Sequence, residues 1–381
     1  MPLAVLRVLI TSALVLVLAG VAAAQSPYGG RAPNYYVFDV GTGQVLAEQN
    51  ANIPLPPASM SKLVTLAILF DALRDGRVRM EDTWAISSRA QAMGGSSMFL
   101  ETRDRPTTED MIRGIAIVSG NDAAVAVAEG LAGTEEAFAV MAQRWSEQLG
   151  MTGTNIVNAS GWPDPDHRMS LRDLGILANY IITEHPEYYR YLGEREFEWN
   201  GISQPNRVPL LDAGIGLDGL KTGHTEEAGF SLVGSARQGS RRVIFVFSGL
   251  NSVNERVEES ERIINWAFRQ FAEQNVIREG QTVGVADVWL GAVDTVPLVA
   301  AGEVTVLLPV IAAGETTAVA RYDGPVTAPI TEGDVLGELV VEVDGMGTMS
   351  TPLLAGASVA QGGFMPRVRA AAAVLSQQLG L

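Results

Sequence analysis

The chain has 381 residues, of which 47% are hydrophobic and 18% charged, a composition typical of a folded globular protein. Its formal net charge of −16 argues against nucleic acid as a partner and against purely electrostatic attachment to anionic lipid. Cysteine is absent, and the three histidines lie far apart without metal-ligand spacing. We therefore predict no disulfide, no metal and no cofactor.

The first residues have the pattern of a secretory signal peptide. Arg7 precedes a long apolar run, and Ala22-Ala23-Ala24 forms a small-residue cleavage site. We therefore predict that residues 1–24 are removed and that the mature protein works outside the cytoplasm. An uncleaved membrane anchor is the alternative interpretation of the same run.

The next part of the chain, residues 25–275, mixes strand and helix patterns. The segments "NYYVFDV", "GTG" and "QVLAEQ" predict a strand, a turn and a second strand. The run "SKLVTLAILFDALRDG" is apolar on nearly all sides, which predicts a buried central helix that ends near Gly76. Thr107, with Asp110 three residues later, predicts a helix start.

Two further patterns follow before residue 275. The segments "GFSLVGSA" and "RRVIFVFSGL" are adjacent and rich in β-formers, which predicts a hairpin. The segment "ERVEESERIINWAFRQF" has helical spacing. Its predicted apolar side consists of Ile263, Ile264, Ala267, Phe268 and Phe271.

The residue pattern of the sequence changes after about residue 276. Short valine-rich segments separated by Gly, Pro and Asp predict a small, separate β-sandwich or β-barrel over residues 276–363. Residues 364–381 form a candidate amphipathic helix. Its apolar stripe comprises Val368, Ala372, Leu375 and Leu379. Docking of this helix on its own domain and weak anchoring at a membrane surface are equally open alternatives.

The distribution of lysine singles out two positions. Only Lys62 and Lys221 are lysines among the 27 basic residues. Arginine does not give up its proton in a protein, whereas lysine does so when its environment lowers its pKa. Codon bias explains why lysine is scarce, but it does not explain these two positions.

Ser59 and Lys62 form a Ser-x-x-Lys pattern at the start of the predicted central helix. Residues spaced i and i+3 face the same way on a helix, and free N–H groups at a helix start favour negative charge. A serine there can attack a carbonyl while its own N–H helps to hold the oxyanion. The hydroxyl needs a base, and a desolvated lysine one turn away can serve. Ser61 points elsewhere, and we interpret it as a bystander.

Two more motifs follow in the chain. Ser-Gly-Asn stands at residues 119–121, where alternate residues of an extended loop face one side. Lys-Thr-Gly-His stands at residues 221–224, and a glycine on an edge strand admits the backbone of an added peptide. Each motif alone is an ordinary turn. The three together, in this order and including both lysines, indicate one catalytic site.

This set of motifs resembles that of the β-lactamases and penicillin-binding proteins. Longer segments are similar to the low-molecular-mass penicillin-binding proteins that are serine-type D-alanyl-D-alanine carboxypeptidases. These segments include "YVFDVGTGQVLAEQNAN", "IRGIAIVSGNDAAVAVAE", "EFEWNGISQPNR" and "DGLKTGHTEEAGFSLVGSA". The resemblance covers nearly the whole mature chain. It implies an α/β (α+β) transpeptidase fold, with an antiparallel sheet flanked by helices, plus a small all-β C-terminal domain.

The resemblance also implies a reaction. The enzyme is expected to remove the terminal D-alanine from peptidoglycan pentapeptides in the periplasm, through an acyl-enzyme, and to be bound covalently by β-lactams. Such an activity belongs to cell-wall biosynthesis and cell shape. A β-lactamase or a D,D-endopeptidase on the same scaffold is the alternative among enzymes. A wall-binding scaffold protein with a vestigial site is the alternative from another class.

The resemblance assigns roles to the motif residues. Ser59 is the expected nucleophile, Lys62 its base, and Ser119 the proton relay to the departing amine. Asn121 is expected to hold both the substrate and Lys62. Lys221 is expected to supply positive charge beside Ser119.

The remaining roles concern the substrate's free carboxylate and the oxyanion. Thr222, next to Gly223 in the third motif, and Arg256 are expected to bind the carboxylate, which matches a guanidinium in a fork. The backbone N–H groups of Ser59 and His224 are expected to form the oxyanion hole. Gly120 stands where the β-lactamase pattern has Asp, and we interpret Glu196 as a structural residue. Both points favour a carboxypeptidase over a β-lactamase.

Overall fold

The computed structural model describes residues 10–18, 28–310, 316–343 and 347–364. The strands are β1 (Ile10–Leu18), β2 (Asn34–Asp39), β3 (Val45–Gln49), β4 (Glu196–Trp199), β5 (Ile202–Pro205), β6 (Leu217–Thr225), β7 (Gly229–Gln238), β8 (Arg241–Leu250), β9 (Phe271–Ile277), β10 (Thr282–Trp289), β11 (Thr295–Ala300), β12 (Val304–Pro309), β13 (Thr316–Gly324), β14 (Val326–Thr327), β15 (Val335–Val343) and β16 (Gly347–Ala355). The helices are α1 (Lys62–Arg74), α2 (Ser88–Gln91), α3 (Thr108–Ala116), α4 (Asn121–Ala132), α5 (Glu135–Gln148), α6 (Leu171–Glu184), α7 (Pro186–Tyr189) and α8 (Val253–Arg269). Short 3₁₀ turns lie at Ala58–Ser61 and Arg190–Gly193.

The chain divides into two compact units. One comprises Pro27–Phe268, and the other comprises Met1–Ser26 together with Arg269–Leu381. Our predicted boundary at residue 275 lies within β9. Phe271 begins that strand and therefore does not extend the apolar side of α8, as the helical spacing had suggested. Phe271 belongs to a strand and not to the helix because β9 pairs antiparallel with β12.

The first unit is built on an antiparallel sheet of five strands in the order β3-β2-β8-β7-β6. The predicted hairpins β2–β3 and β7–β8 are both present. Helices α1 and α6 belong to the same buried core as the inner face of this sheet. Strand β6, which carries the Lys-Thr-Gly-His motif, is an edge strand, so one of its sides is not paired within the sheet.

Helix α1 is buried almost along its whole length, which confirms the interpretation of the apolar run. The side chains of Leu63, Leu66, Leu69 and Phe70 are fully buried. Each such side chain stabilises the fold by about 1.5–3 kcal/mol through burial of apolar surface. The helix therefore holds its first residue, Lys62, in a fixed position at the centre of the unit.

Helices α3 and α4 position the second motif. The predicted start of α3 is a capping box, in which Thr107 and Asp110 bind each other's backbone N–H groups with their side chains. Helix α3 ends at Ala116 and α4 begins at Asn121, with Gly120 as its N-cap. Ser119 thus lies in a tight connection between two buried helices.

The second unit is all-β over its described residues, as the sequence predicted. Its larger sheet has the strand order β1-β13-β15-β16-β11-β10-β14, and β9 pairs with β12 beside it. Strand β1 falls within the predicted signal peptide and pairs antiparallel with β13. Removal of residues 1–24 stays a prediction, and a chain cleaved there lacks this strand.

Of the predicted terminal helix at residues 364–381, only Phe364 belongs to the described residues. Its anchoring role therefore lies outside what the structure describes. Within the described ranges, no helix combines the length and the apolar character that crossing a bilayer requires.

Candidate active site

The centre of the site is a direct contact between the residues of the first motif. Ser59 lies in the 3₁₀ turn that leads into α1, and Lys62 is the first residue of that helix. The Nζ atom of Lys62 lies 3.0 Å from the Oγ atom of Ser59. A nucleophile and a candidate base are thus within hydrogen-bond distance.

The other partners of Lys62 determine what its amine can do. Nζ donates to Oδ1 of Asn121 at 2.7 Å and to the main-chain oxygen of Ser160 at 2.5 Å. Both are oxygens that only accept hydrogen bonds. A neutral amine has two hydrogens, and these two acceptors take them. Its lone pair is then left for the hydroxyl hydrogen of Ser59.

The surroundings favour that neutral form. Lys62 is fully buried. Its burial, together with the positive charge of Arg207, lowers its pKa to about 7, against the opposing effect of Asp122. A substantial fraction of Lys62 is therefore unprotonated near neutral pH, as a general base requires.

Two glycines allow neighbouring backbone to approach the nucleophile's turn. At Gly161, whose φ is +74°, a Cβ atom would lie 1.9 Å from the carbonyl oxygen of Ala58. At Gly223 on β6, a Cβ atom would lie 3.0 Å from the carbonyl oxygen of Pro57. The missing side chains let the loop after Ser160 and the edge strand β6 pack directly against the turn.

The second motif lies against this turn through Asn121. Besides accepting from Lys62, its side chain donates from Nδ2 to the carbonyl of Gly94 at 2.7 Å. Ser119 is buried, in a left-handed conformation with φ of +63°. Its hydroxyl has no hydrogen-bond partner among the described residues. A buried hydroxyl without a partner is unfavourable, and a group that hydrogen-bonds to it relieves that cost.

In the third motif, Lys221 and Thr222 are buried on β6. Nζ of Lys221 lies 3.4 Å from the carbonyl oxygen of Thr222. Burial, together with the charges of Lys62, Arg207 and Arg256, lowers the pKa of Lys221 well below its usual value. The expected positive charge at Lys221 is therefore disfavoured in the empty site, and an entering anion would favour it.

Arg256 reaches the site from α8. Its side chain is buried, its guanidinium lies over the ring of Phe230 at 5.6 Å, and that ring lies 4.0 Å from the ring of His224. Its Nε atom has no partner within the described ranges. Burial and the nearby Arg207 lower its pKa to about 10. An uncompensated cation thus lies beside the strand of the third motif.

A cleft of about 560 Å³ opens at these residues. Of the predicted site residues, Ser59, Asn121 and His224 line it. Lys62, Ser119, Lys221 and Thr222 are buried and do not line it. The nucleophile is therefore accessible, while its base and the relay serine are kept from solvent.

Several residues at the site had no sequence signal. Ser160 contributes through its main-chain oxygen, which no side-chain pattern reveals. Arg207, which is exposed, donates at 2.5 Å to Oγ of Ser96, a residue that lines the cleft, and lies in none of the three motifs. The sequence indicated only that Asp122 lies near the site, because it follows Asn121 in the second motif. Its carboxylate accepts the N–H groups of Met98 and Leu100 and so fixes the segment that follows Ser96, which lines the cleft.

Comparison with known proteins gives a consistent result. Residues 21–251 match the family described as D-alanyl-D-alanine carboxypeptidase, and residues 271–361 match the family described as penicillin-binding protein 5, C-terminal domain. The D-alanyl-D-alanine carboxypeptidase DacC of Escherichia coli is 34% identical, over 88% of this chain and 86% of the relative. Penicillin-binding protein 5 from Haemophilus influenzae, a solved structure, is 32% identical with a TM-score of 0.78, over 89% of this chain and 100% of that chain. The ampicillin-bound structure of penicillin-binding protein D2 from Listeria monocytogenes is 28% identical with a TM-score of 0.58, over 63% of this chain and 99% of that chain.

Proposed function

We propose a residue-level mechanism for this chain, which belongs to the D-alanyl-D-alanine carboxypeptidase family. The protein is a serine-type D-alanyl-D-alanine carboxypeptidase, a hydrolase that acts on peptidoglycan. The contact between Ser59 and a buried Lys62 of lowered pKa carries the proposal.

Acylation begins with proton transfer from the Ser59 hydroxyl to neutral Lys62. Oγ attacks the carbonyl carbon between the two terminal D-alanines, and the backbone N–H groups of Ser59 and His224 stabilise the oxyanion. The C–N bond then breaks. Ser119 relays a proton to the departing amine, so that D-alanine leaves and the peptide stays as an ester on Ser59. The unpartnered hydroxyl of Ser119 supports this role.

Recognition of the terminal carboxylate follows from the excess of positive charge. In the empty site, burial lowers the pKa of Lys62, Lys221 and Arg256, and the positive charge of Arg207 adds to this effect for all three. The charges of Lys62 and Arg256 also add to the effect on Lys221. A carboxylate bound by Thr222, Lys221 and Arg256 relieves this repulsion. A substrate with a free C-terminal carboxylate is therefore preferred over one whose terminus is blocked.

Deacylation completes the cycle. A water molecule gives a proton to Lys62 and attacks the ester carbonyl. The peptide is then released with a new carboxyl group, and the Ser59 hydroxyl is restored. β-Lactams form the same ester with Ser59, and the likeness to an ampicillin-bound structure supports this. Slow hydrolysis of that ester makes them inhibitors.

The structure gives little support to the β-lactamase alternative. Glu196 lies exposed on β4, where its carboxylate accepts from the hydroxyl of Ser203 at 3.3 Å, and it does not line the cleft. It is therefore not placed to activate a water molecule at Ser59, in agreement with its interpretation as a structural residue.

We also propose that the mature enzyme lies in the periplasm, after loss of residues 1–24, in peripheral contact with the inner membrane through residues 364–381. The leader pattern and the apolar stripe of the tail support this. Fractionation of cells that express the full chain or a chain ending at residue 363 tests it. We expect the shorter chain to lose membrane association.

The function is tested by D-alanine release from a pentapeptide and by the mass of the intact protein after mixing with penicillin. We expect release and a lasting adduct for the wild type and for the control Ser203→Ala, whose exposed serine is outside the cleft. We expect neither for Ser59→Ala. A wild type that consumes penicillin rapidly without a lasting adduct, or a Ser59→Ala variant that still releases D-alanine, would refute the proposal.

A further inference from the structure

The loop of residues 158–162 supplies the Ser160 carbonyl that accepts a hydrogen bond from Lys62. It contains no helix or strand. Within the loop, Oδ1 of Asn158 accepts the N–H groups of the third, fourth and fifth residues at 2.8–3.2 Å. These internal bonds shape the loop but do not fix its place relative to α1. The position of the Ser160 carbonyl therefore depends on contacts with other elements.

Both polar groups of the Ala159 main chain, immediately before Ser160, are bound by buried side chains from two helices. The carbonyl of Ala159 accepts from Oγ1 of Thr65 on α1 at 2.8 Å. Its N–H donates at 3.1 Å to Oε1 of Glu135, the first residue of α5. Thr65 lies one turn after Lys62 on the same helix. The loop is therefore fixed to the helix of the general base from one side and to α5 from the other.

Glu135 is a buried carboxylate, with only 5% of its surface exposed. Its second oxygen, Oε2, accepts from Arg89 at 2.7 Å, so both of its oxygens are bound. Glu136 pairs with the same guanidinium at 2.6 Å, but its side chain is 69% exposed. A carboxylate is costly to bury unless it is paired and hydrogen-bonded. The two neighbouring acids therefore differ, because only Glu135 is buried and bonded to the loop.

A helix start favours acidic residues on its own account, since its free N–H groups attract negative charge. That preference explains an acid at residue 135 or 136 equally well. It does not explain why one of the two is buried against the main chain of Ala159. Glu135 does not line the cleft, so it does not touch a substrate there. Any effect of Glu135 on the reaction must pass through the residues that it holds.

On the basis of the proposed function of Lys62 as general base, we propose that Glu135 is a positioning residue for this base. It acts through the loop of residues 158–162, whose Ser160 carbonyl takes one hydrogen of the neutral amine. A carbonyl that is held in place keeps that hydrogen, and the lone pair of the amine then faces the hydroxyl of Ser59. When the carbonyl is free to move, the amine turns and the lone pair faces the hydroxyl less often.

The test measures the rate constant of acylation by penicillin across pH, from the mass of the adduct over time. The variant Glu135→Gln keeps the shape of the side chain but offers no charge to Arg89, so the loop is held less firmly. We expect its rate constant at high pH to fall about three- to tenfold, the size expected of one hydrogen bond. The midpoint of the pH profile should move to lower pH, because a carbonyl acceptor stabilises the charged form of Lys62 more than the neutral form.

The midpoint distinguishes positioning from a general effect on the fold. The titratable or charged groups that interact electrostatically with Lys62 are Arg207, Asp122, Lys221 and His167. All four are unchanged in the variant, so a shifted midpoint reports the hydrogen bonding of Lys62. A residue that served only the fold would lower the melting temperature and the yield of adduct. It would leave the rate constant of the folded fraction and its midpoint unchanged.

Glu136→Gln is the matched control. It removes an acid from the same helix turn and from the same arginine, and it leaves the bond to Ala159 in place. We expect the rate constant and the midpoint of the wild type. Thr65→Val releases the Ala159 carbonyl from the other side and should reproduce the effect of Glu135→Gln. It also tests the inference if thermal melting shows that Glu135→Gln does not fold.

The outcomes separate this inference from the function on which it rests. A wild-type rate constant in folded Glu135→Gln overturns the positioning role and leaves the carboxypeptidase intact, as does a lower rate constant with an unchanged or raised midpoint. An equal loss in Glu136→Gln also overturns it, because the charge of the helix start would then be responsible. If Glu135→Gln does not fold, a wild-type rate constant in Thr65→Val overturns it. A wild-type enzyme that forms no adduct overturns the proposed function itself.

Discussion

The Nζ atom of Lys62 lies 3.0 Å from Oγ of Ser59, while carbonyl oxygens occupy its other hydrogen-bonding positions. This arrangement orients the amine's lone pair toward the hydroxyl only when the lysine is neutral. The protonation state of Lys62 therefore decides whether Ser59 is activated. The burial that makes the lysine a base also keeps it from bulk solvent in the empty site.

The rate of acylation should depend on pH through Lys62. Because its pKa is lowered to about 7, the neutral form grows as pH rises through that value, and acylation by penicillin should rise with it. The measurement is the rate of adduct formation by mass spectrometry across this range. Lys62→Arg, which stays protonated, should not acylate. A rate that is flat or falls with increasing pH contradicts the role of Lys62.

Gly161→Ala should impair the enzyme by moving the nucleophile's turn. The new Cβ atom would meet the carbonyl oxygen of Ala58, and we expect a loss of about 1–3 kcal/mol in stability together with slower acylation. Gly43→Ala is the matched control, since its φ of +70° is similar and nothing lies within 4 Å of its Cβ position. Thermal melting measures the stability of the two variants, and their acylation rates are compared with that of the wild type. Equal effects in the two variants would mean that backbone strain, not the close approach, is responsible.

Arg256→Gln should weaken recognition of the carboxylate. Loss of a charge-assisted hydrogen bond costs about 1.5–3 kcal/mol, so we expect kcat/KM for a free-carboxylate peptide to fall about tenfold to a hundredfold. A peptide ending in a carboxamide should be nearly unaffected. Arg262→Gln, on the same helix but paired with Glu259, is the control. If both peptides lose equally, Arg256 serves the fold and not the carboxylate.

Asp71 should set the stability of the fold in acid. Burial alone raises its pKa, but hydrogen bonds from His185, Tyr180 and Trp145 outweigh burial and lower it. Since the folded pKa lies below the unfolded value, the stability from Asp71 is present above about pH 4 and is lost as pH falls through the folded pKa.

Asp71→Asn should accordingly destabilise the protein at neutral pH by about 1–3 kcal/mol, and its stability should fall less on acidification. The exposed Asp75→Asn is the control. Urea unfolding at several pH values measures both effects. Parallel stability curves for wild type and Asp71→Asn would show that Asp71 contributes no pH dependence.

Much of the site could be predicted from the sequence because the chemistry depends on particular residue types at fixed spacing. Ser59 and Lys62 lie one turn apart on a helix start, so their contact follows from local geometry alone. Arg207 and Ser160 are different. Their approach to Lys62 depends on how distant loops pack, and Ser160 acts through an atom that every residue possesses. No rule based on the spacing of residues in the sequence predicts such approaches.

The fold, too, could be predicted from the sequence only where local signals decide it. Helix α1 and the hairpins were predictable from apolar periodicity, which is a local signal. The end of α8 was not, because Phe271 fits the helical stripe and also fits the strand that pairs with β12. Pairing with a distant strand decided between two locally acceptable structures.

The crowded cations of the empty site link the enzyme's durability to its supply of substrate. Burial lowers the pKa of the Lys62 and Lys221 amines, the crowding of these cations with Arg207 and Arg256 adds to that effect, and both oppose folding. A bound carboxylate offsets this, and any ligand that binds only the folded state stabilises it by mass action. The protein is therefore expected to melt at a higher temperature, and to resist proteolysis for longer, when peptide is abundant. Depletion of substrate would shorten its lifetime even while its catalytic residues stay intact.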